Sequence, residues 1–181
     1  KAMARLGSAN HSYVLIGYLT TAAFYPYAFE ALVRIGDPAL PMLEQMFLLP
    51  DADKLLLSRI VRIYGKIGTP AAMDCLLGKI ENQNRVVGRQ ALLALRESKF
   101  QSTPGNINRV LNDIVRLITV MSWNFAAYAS IYKSASYQLL SDTLRAEIND
   151  NYTTLYHLLA LAYNPTSIGN IKNLLQEGSD S

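Results

Sequence analysis

The run Ala28-Phe29-Glu30-Ala31-Leu32-Val33-Arg34-Ile35-Gly36-Asp37-Pro38-Ala39-Leu40-Pro41-Met42-Leu43 decides how the rest of the chain is read. It joins two apolar helical stretches through Gly36-Asp37-Pro38. Glycine suits the end of a helix because it alone adopts left-handed backbone without a Cβ penalty. Asp caps the next helix, and Pro at its first position gives up only an N–H that has no intrahelical partner. The junction recurs at Ile67-Gly68-Thr69-Pro70-Ala71-Ala72. Basic-aliphatic-glycine triplets stand at Arg5-Leu6-Gly7, Arg34-Ile35-Gly36 and Lys66-Ile67-Gly68, so their glycines recur at nearly constant spacing. Polar-proline pairs at Asp37-Pro38, Thr69-Pro70, Thr103-Pro104 and Asn164-Pro165 keep a similar register, the last interval being close to a doubled one. Repeats of this kind in a helical sequence indicate stacked helical hairpins.

Between the junctions the hydrophobic spacing is helical. Leu56, Ile60, Ile63 and Ile67 follow i, i+4, i+7, i+11 and form one stripe. The same reading predicts helices near 11–22, 26–35, 39–48, 54–67, 71–81 and 85–97, paired as hairpins, with no alternating strand run. After Pro104 the pattern lengthens. Residues 106–132 and 137–163 each read as about 27 helical residues joined by Lys133-Ser134-Ala135-Ser136, a hairpin roughly 40 Å long at the helical rise. Pro165 opens a shorter helix carrying Ile168, Ile171, Leu174 and Leu175. The expectation is an all-α solenoid of antiparallel helical hairpins with one elongated hairpin. It reads as a single domain over 1–181, with short repeats in 1–103 and the hairpin and following helix in 104–181. Residues 1–7 and the end at 178–181 read as cuts within a longer array.

Residues 25–98 resemble HEAT repeats through these junctions, with Gln90-Ala91-Leu92-Leu93-Ala94-Leu95 similar to a repeat's second helix. The order of short repeats, long hairpin and resumed repeat is similar to the soluble HEAT-containing portion of bacterial ATP/ADP-translocase-like membrane proteins. Leu144-Arg145-Ala146-Glu147-Ile148 and Leu155-Tyr156-His157-Leu158-Leu159 carry that likeness. The resemblance implies a cytoplasmic appendage of a transporter, with none of the transport helices or nucleotide-site residues in this stretch.

Composition narrows the chemistry. The 181 residues are 50% hydrophobic and 17% charged, with a formal net charge of +3, enough for a packed core and poor for disorder. A single Cys75 can form neither an internal disulfide nor a cysteine metal cluster, and His11 and His157 are the two histidines. No cofactor or metal is expected. The uncharged runs Tyr13–Phe29 and Leu117–Tyr132, 17 and 16 residues long, fall short of the roughly 20 that a spanning helix needs and read as buried helices, with Trp123 in the core. The start Lys1–Asn10 has no apolar signal-peptide region.

Motifs add little. Gly65-Lys66-Ile67-Gly68-Thr69 lacks the spacing of a phosphate loop and its preceding strand. His157 has Glu147 and Asp150 upstream, but Asp150 is two helical turns away, so it reads as a structural or surface histidine. Cys75 in Met73-Asp74-Cys75-Leu76-Leu77 reads as a small buried hydrophobe. Tyr152, Tyr156 and Tyr163 share a helical stripe and read as a hairpin boundary with hydroxyls at the water edge.

Charge placement is more informative. Residues 54–116 hold 11 Lys and Arg against 4 Asp and Glu, while the remainder holds 6 against 10. Arg59, Arg62 and Lys66 share one helical stripe and Arg85, Arg89 and Arg96 another, and these six are the candidate partner-binding residues. With Ile67 aligned on Leu95 the stripes fall roughly 150° apart, too divergent for one continuous basic wall. The leading function is a non-catalytic protein-interaction or regulatory scaffold whose partner is a protein or an adjoining domain of the same chain. The alternative is a nucleic-acid-binding HEAT-like protein or a DNA glycosylase-like enzyme, which would need cations, aromatics and a carboxylate gathered around an extruded base.

Overall fold

The structure, a computed structural model, describes residues 9–49 and 51–177, without the side chains of residues 9–12 and 135. The Arg5-Leu6-Gly7 triplet and the expected cut ends at 1–7 and 178–181 lie outside the described residues, as does the His11 side chain. The fold is all-α: nine α-helices and two short 3-10 turns are present, and no strand is found among the described residues. The chain divides into two compact units, residues 1–100 and 101–181.

The first unit contains α1 (Ala9–Tyr18), α2 (Tyr25–Ile35), α3 (Leu40–Met46), α4 (Lys54–Ile67), α5 (Pro70–Leu77) and α6 (Arg85–Glu97). Their starts follow local chemistry. Asp53 accepts the Leu55 N–H, Thr69 the Ala72 N–H and Asn84 the Val86 N–H, each satisfying a donor with no partner in the helix. Pro38 opens a 3-10 turn at Asp37–Ala39 that leads into α3, and Pro70 is the first residue of α5. The expected helix over 11–22 stops at Tyr18. There the Leu19 N–H turns back to the Ile16 carbonyl and the Thr20 hydroxyl donates to the Gly17 carbonyl, tightening the chain out of the α-helix.

The α1–α2, α4–α5 and α5–α6 neighbours pack on one another, and contacts also run α2 to α4, α4 to α6, α1 to α3 and α3 to α5. The core they enclose includes Leu19, Leu32, Leu43, Ile60, Ile63, Tyr64, Leu76 and Leu95, all fully buried. The buried face of α4 is Leu57, Ile60, Val61, Ile63 and Tyr64. The expected stripe is right in Ile60 and Ile63, but Leu56 and Ile67 at its ends are only half-buried, because α4 has neighbours on more than one side.

Three helix ends of this unit share a positive backbone φ. Gly36 and Gly68 both have φ of 70°, and Lys99 follows with φ of 54°. A positive φ therefore recurs at nearly equal intervals along the unit, left-handed helical at Gly68 and with ψ of −141° at Gly36. At the third occurrence the Phe100 N–H reaches the Leu95 carbonyl at 3.0 Å, closing the end of α6 although the position holds lysine. Two of these helix junctions also touch, since the Thr69 hydroxyl donates to the Asp37 carboxylate.

The second unit holds α7 (Ile107–Ile131), α8 (Gln138–Ala162) and α9 (Pro165–Glu177). The helices α7 and α8 are 25 residues each, about 37 Å at the helical rise, and pack along one another. Pro104 sits in the turn before α7, where the Asn106 side chain accepts the Thr103 N–H, whereas Asn164 caps α9 directly through the Thr166 and Ser167 N–H groups. The Ser102 N–H and the Gln101 amide reach the Leu161 and Ala160 carbonyls and tie the entry strap to the end of α8.

The expectation that Leu117–Tyr132 forms a buried helix is overturned. An 18-residue window of α7 that is long and apolar enough to cross a membrane is only 11% buried, and Trp123, expected in the core, is 74% exposed. The reason is geometric. Within the hairpin α7 offers α8 the stripe of Val110, Ile114 and Met121, and the rest of its circumference receives no helix of this unit. The other uncharged run, Tyr13–Phe29, spans α1, the break and the start of α2, with Leu15, Ile16, Leu19 and Ala28 buried and Tyr13 and Tyr27 exposed.

Candidate functional site

The α4–α6 contact produces a concavity that gathers candidate residues. Gly65 faces Ala94, and a Cβ added at Gly65 would stand 3.1 Å from that of Ala94, so the backbones approach closely. Ser98 secures the junction by donating to the Gly65 carbonyl at 3.1 Å and to the Ala94 carbonyl at 2.7 Å. Over this floor lies an open groove of about 430 Å³ lined by Arg62, Lys66, Gln90, Leu93 and Glu97. Arg62 and Lys66, one turn apart on α4, are exposed, and no ion pair or hydrogen bond engages either among the described residues. Opposite them the Gln90 Oε1 is buried without a hydrogen-bond donor. A buried acceptor left unpaired costs free energy, so a group that supplies a donor there gains by binding.

The six expected partner-binding residues do not line one groove. Arg62 and Lys66 line the groove; Arg59 does not. Its guanidinium donates to the Leu19 carbonyl and lies 4.1 Å from the centre of the Tyr25 ring, which commits it to holding α4 against the preceding chain. Arg85, Arg89 and Arg96 are exposed along a different flank of α6 and are absent from the groove lining. Gln90, Leu93, Glu97 and Ser98 had no motif to single them out. Only the Gly65–Ala94 approach, which selects the face of α6 turned to α4, brings them beside Arg62 and Lys66.

A second polar cluster is structural. Glu44 on α3 accepts from the Tyr64 hydroxyl at 2.8 Å and from Lys79 Nζ at 2.7 Å, and the same ammonium lies 4.2 Å from the centre of the Phe47 ring. Burial, reinforced by the Glu44 charge, holds the Tyr64 hydroxyl protonated far above the ordinary tyrosine range. Burial first and Glu44 next push the Cys75 thiol up to about 11. A thiol kept protonated is a poor nucleophile.

On α8, His157 is half-buried, and Tyr152 meets Phe125 of α7 edge-on at 6.1 Å. Tyr156 lies under Lys172 of α9 at 5.8 Å, while Tyr163 is exposed at the end of α8. No group of three or more potential metal-ligating His, Cys, Asp or Glu side chains occurs among the described residues. No family model, curated protein or solved structure matches the chain significantly.

Proposed function

We propose that the chain is a HEAT-like helical repeat protein that works as a non-catalytic protein-interaction scaffold, its α4–α6 groove receiving an acidic segment of a protein partner or of an adjoining part of the same chain. Its setting in this reading is the cytoplasmic side of a membrane transporter. Support for a repeat stack comes from helix contacts at i, i+2, from the Thr69–Asp37 bond between junctions and from the positive φ at 36, 68 and 99. In such a stack each repeat meets mainly its neighbours, and the successive second helices build a binding surface.

The observation that carries the reading is the groove's pairing of two unengaged cations with an unsatisfied amide oxygen. Carboxylates of an extended acidic segment suit Arg62 and Lys66, and a backbone N–H of the same segment suits Gln90 Oε1. No aromatic side chain lines the groove, so it offers no platform for stacking a nucleobase.

Fluorescence anisotropy with a labelled oligoglutamate peptide tests the reading. Binding is expected to weaken with salt and to fall at least about tenfold in Arg62→Glu/Lys66→Glu, in line with the worth of charge-assisted contacts. Arg85→Glu/Arg89→Glu should leave it within about threefold, by the modest worth of exposed charges away from the contact. Equal losses in both double variants would show a diffuse field and remove the groove from the account. Tight binding of duplex DNA with a steep salt slope, weakened by reversal at Arg62 and Arg89 together, would favour the nucleic-acid alternative.

A further inference from the structure

From Leu117 to Ile131 the helix α7 carries no charged residue, a stretch of about 22 Å at the helical rise. Arg116 precedes it and Lys133 follows it, with Lys133 Nζ 5.3 Å from the centre of the Tyr132 ring. The side turned away from the α8-packing stripe presents Val115 and Trp123 to the outside, together with the exposed small residues Thr119, Ser122, Ala126 and Ser130, and exposed Ile118 lies on its flank. A helix side that faces water ordinarily carries charge.

The hydroxyls on this side are already engaged by the backbone. Thr119 donates to the Val115 carbonyl at 3.0 Å, Ser122 to that of Ile118 at 2.9 Å and Ser130 to that of Ala127 at 2.7 Å. Such closure leaves no hydroxyl stranded in hydrocarbon, but Thr143, Thr153 and Thr154 of α8 share it, so it permits burial of this side without requiring it. An indole, apolar in body with one N–H, suits the boundary between headgroups and acyl chains. Exposed Arg109 and Arg116, two helical turns apart, and Lys133 supply positive charge before and after the apolar stretch. The partner helix bears Asp142, Arg145 and Asp150 exposed along its length, so it belongs in water and the hairpin as a unit does not span a bilayer.

We propose that the outward side of α7 lies in the surface of an anionic lipid bilayer, with Trp123 and Val115 at the acyl boundary and Arg116 and Lys133 at phosphate level. The binding follows the rule for in-plane amphipathic helices: buried apolar area holds the helix, and basic residues select the leaflet charge. It uses no residue of the α4–α6 groove, so the two readings stand or fall separately.

Trp123 is the one tryptophan of the chain and reports the contact directly. The experiment adds the full chain to vesicles of phosphatidylcholine alone or mixed with phosphatidylglycerol, and to the same vesicles with brominated acyl chains. The expected result is a blue shift of Trp123 emission on the mixed vesicles and quenching by the brominated lipid. Val115→Asp/Ala126→Asp should abolish both at unchanged helicity, and Arg116→Glu/Lys133→Glu should weaken binding to the anionic vesicles about tenfold or more, at roughly 1 kcal/mol per basic residue. Emission unaffected by either vesicle would overturn the proposal, as would vesicle binding without quenching by brominated lipid. So would a blue shift without lipid that grows with protein concentration and disappears in Val115→Asp/Ala126→Asp, because a second copy would then cover this side.

Discussion

Residues 9–100 and residues 101–177 are built from the same material, apolar helices joined by short turns, and they use it differently. In the first unit each of α2, α4 and α6 meets helices on two or more sides, and the apolar residues at their centres are fully buried. In the second, α7 and α8 meet chiefly along one stripe, and Leu139, Trp123 and Leu174 are 83%, 74% and 68% exposed. Apolar composition predicts burial only when a neighbour is present to provide it. A helix surrounded by several others buries most of its circumference, whereas a helix in a two-membered hairpin buries the facing stripe and leaves the remainder to its environment.

Truncation of apolar side chains should break this comparison most visibly. Ile60→Ala removes a fully buried side chain and should cost about 2–5 kcal/mol in urea unfolding, while Trp123→Ala should stay within roughly 0.5 kcal/mol. A Trp123→Ala cost as large as that of Ile60→Ala would show that α7 is covered after all.

Added methyl groups sharpen it. A Cβ at Gly88 would lie 2.5 Å from the Ile80 carbonyl oxygen, so Gly88→Ala should destabilise by about 1–3 kcal/mol. Gly169 in α9 has no neighbour within 4 Å of the corresponding position, and Gly169→Ala should stabilise by about 0.4–1 kcal/mol through helix propensity. Thermal or urea unfolding of the pair gives opposite signs if local packing differs between the units as described.

Within the first unit the helix ends provide a smaller effect of known sign. Lys99 bears the left-handed penalty that Gly68 avoids, so Lys99→Gly should stabilise by about 1 kcal/mol and Gly68→Ala should destabilise by a similar amount. Equal and negligible effects would mean that the two positions are not equivalent.

The smallest expected effect is confined to alkaline pH. The Cys75 thiol binds its proton more tightly in the folded chain, pushed up to about 11 from an ordinary 9.0, so its contribution to stability is fully present below pH 9 and is lost as pH rises towards 11. Labelling by a disulfide reagent at pH 8 should be much slower in the folded chain than after denaturation in urea. Rapid labelling of the native chain would place the thiol in a less buried site than the one beside Glu44.

The sequence by itself determined where helices begin. Prolines after Thr69 and Asn164 mark helix starts because a ring-fixed φ and a capping side chain act within one turn and need no tertiary partner, whereas Asp37, expected to cap the next helix, leaves Pro38 to start its turn uncapped and accepts from Thr69 instead. It determined the all-helical class for the same reason, since a 3.6-residue period is local. The candidate site was legible only in part. Arg62 and Lys66 stood out as a basic stripe, but their likeness to Arg59 ended once Arg59 found the Leu19 carbonyl and the Tyr25 ring, both far from it along the chain. Gln90 and Glu97 joined them through a glycine–alanine approach that no motif announces. Tertiary structure alone decided that Lys99 continues the series of Gly36 and Gly68, because a backbone angle can recur where the residue type does not. It alone decided the environment of Trp123 as well. A charge-free run states that a helix avoids charge, and only the number of neighbouring helices states whether protein covers it.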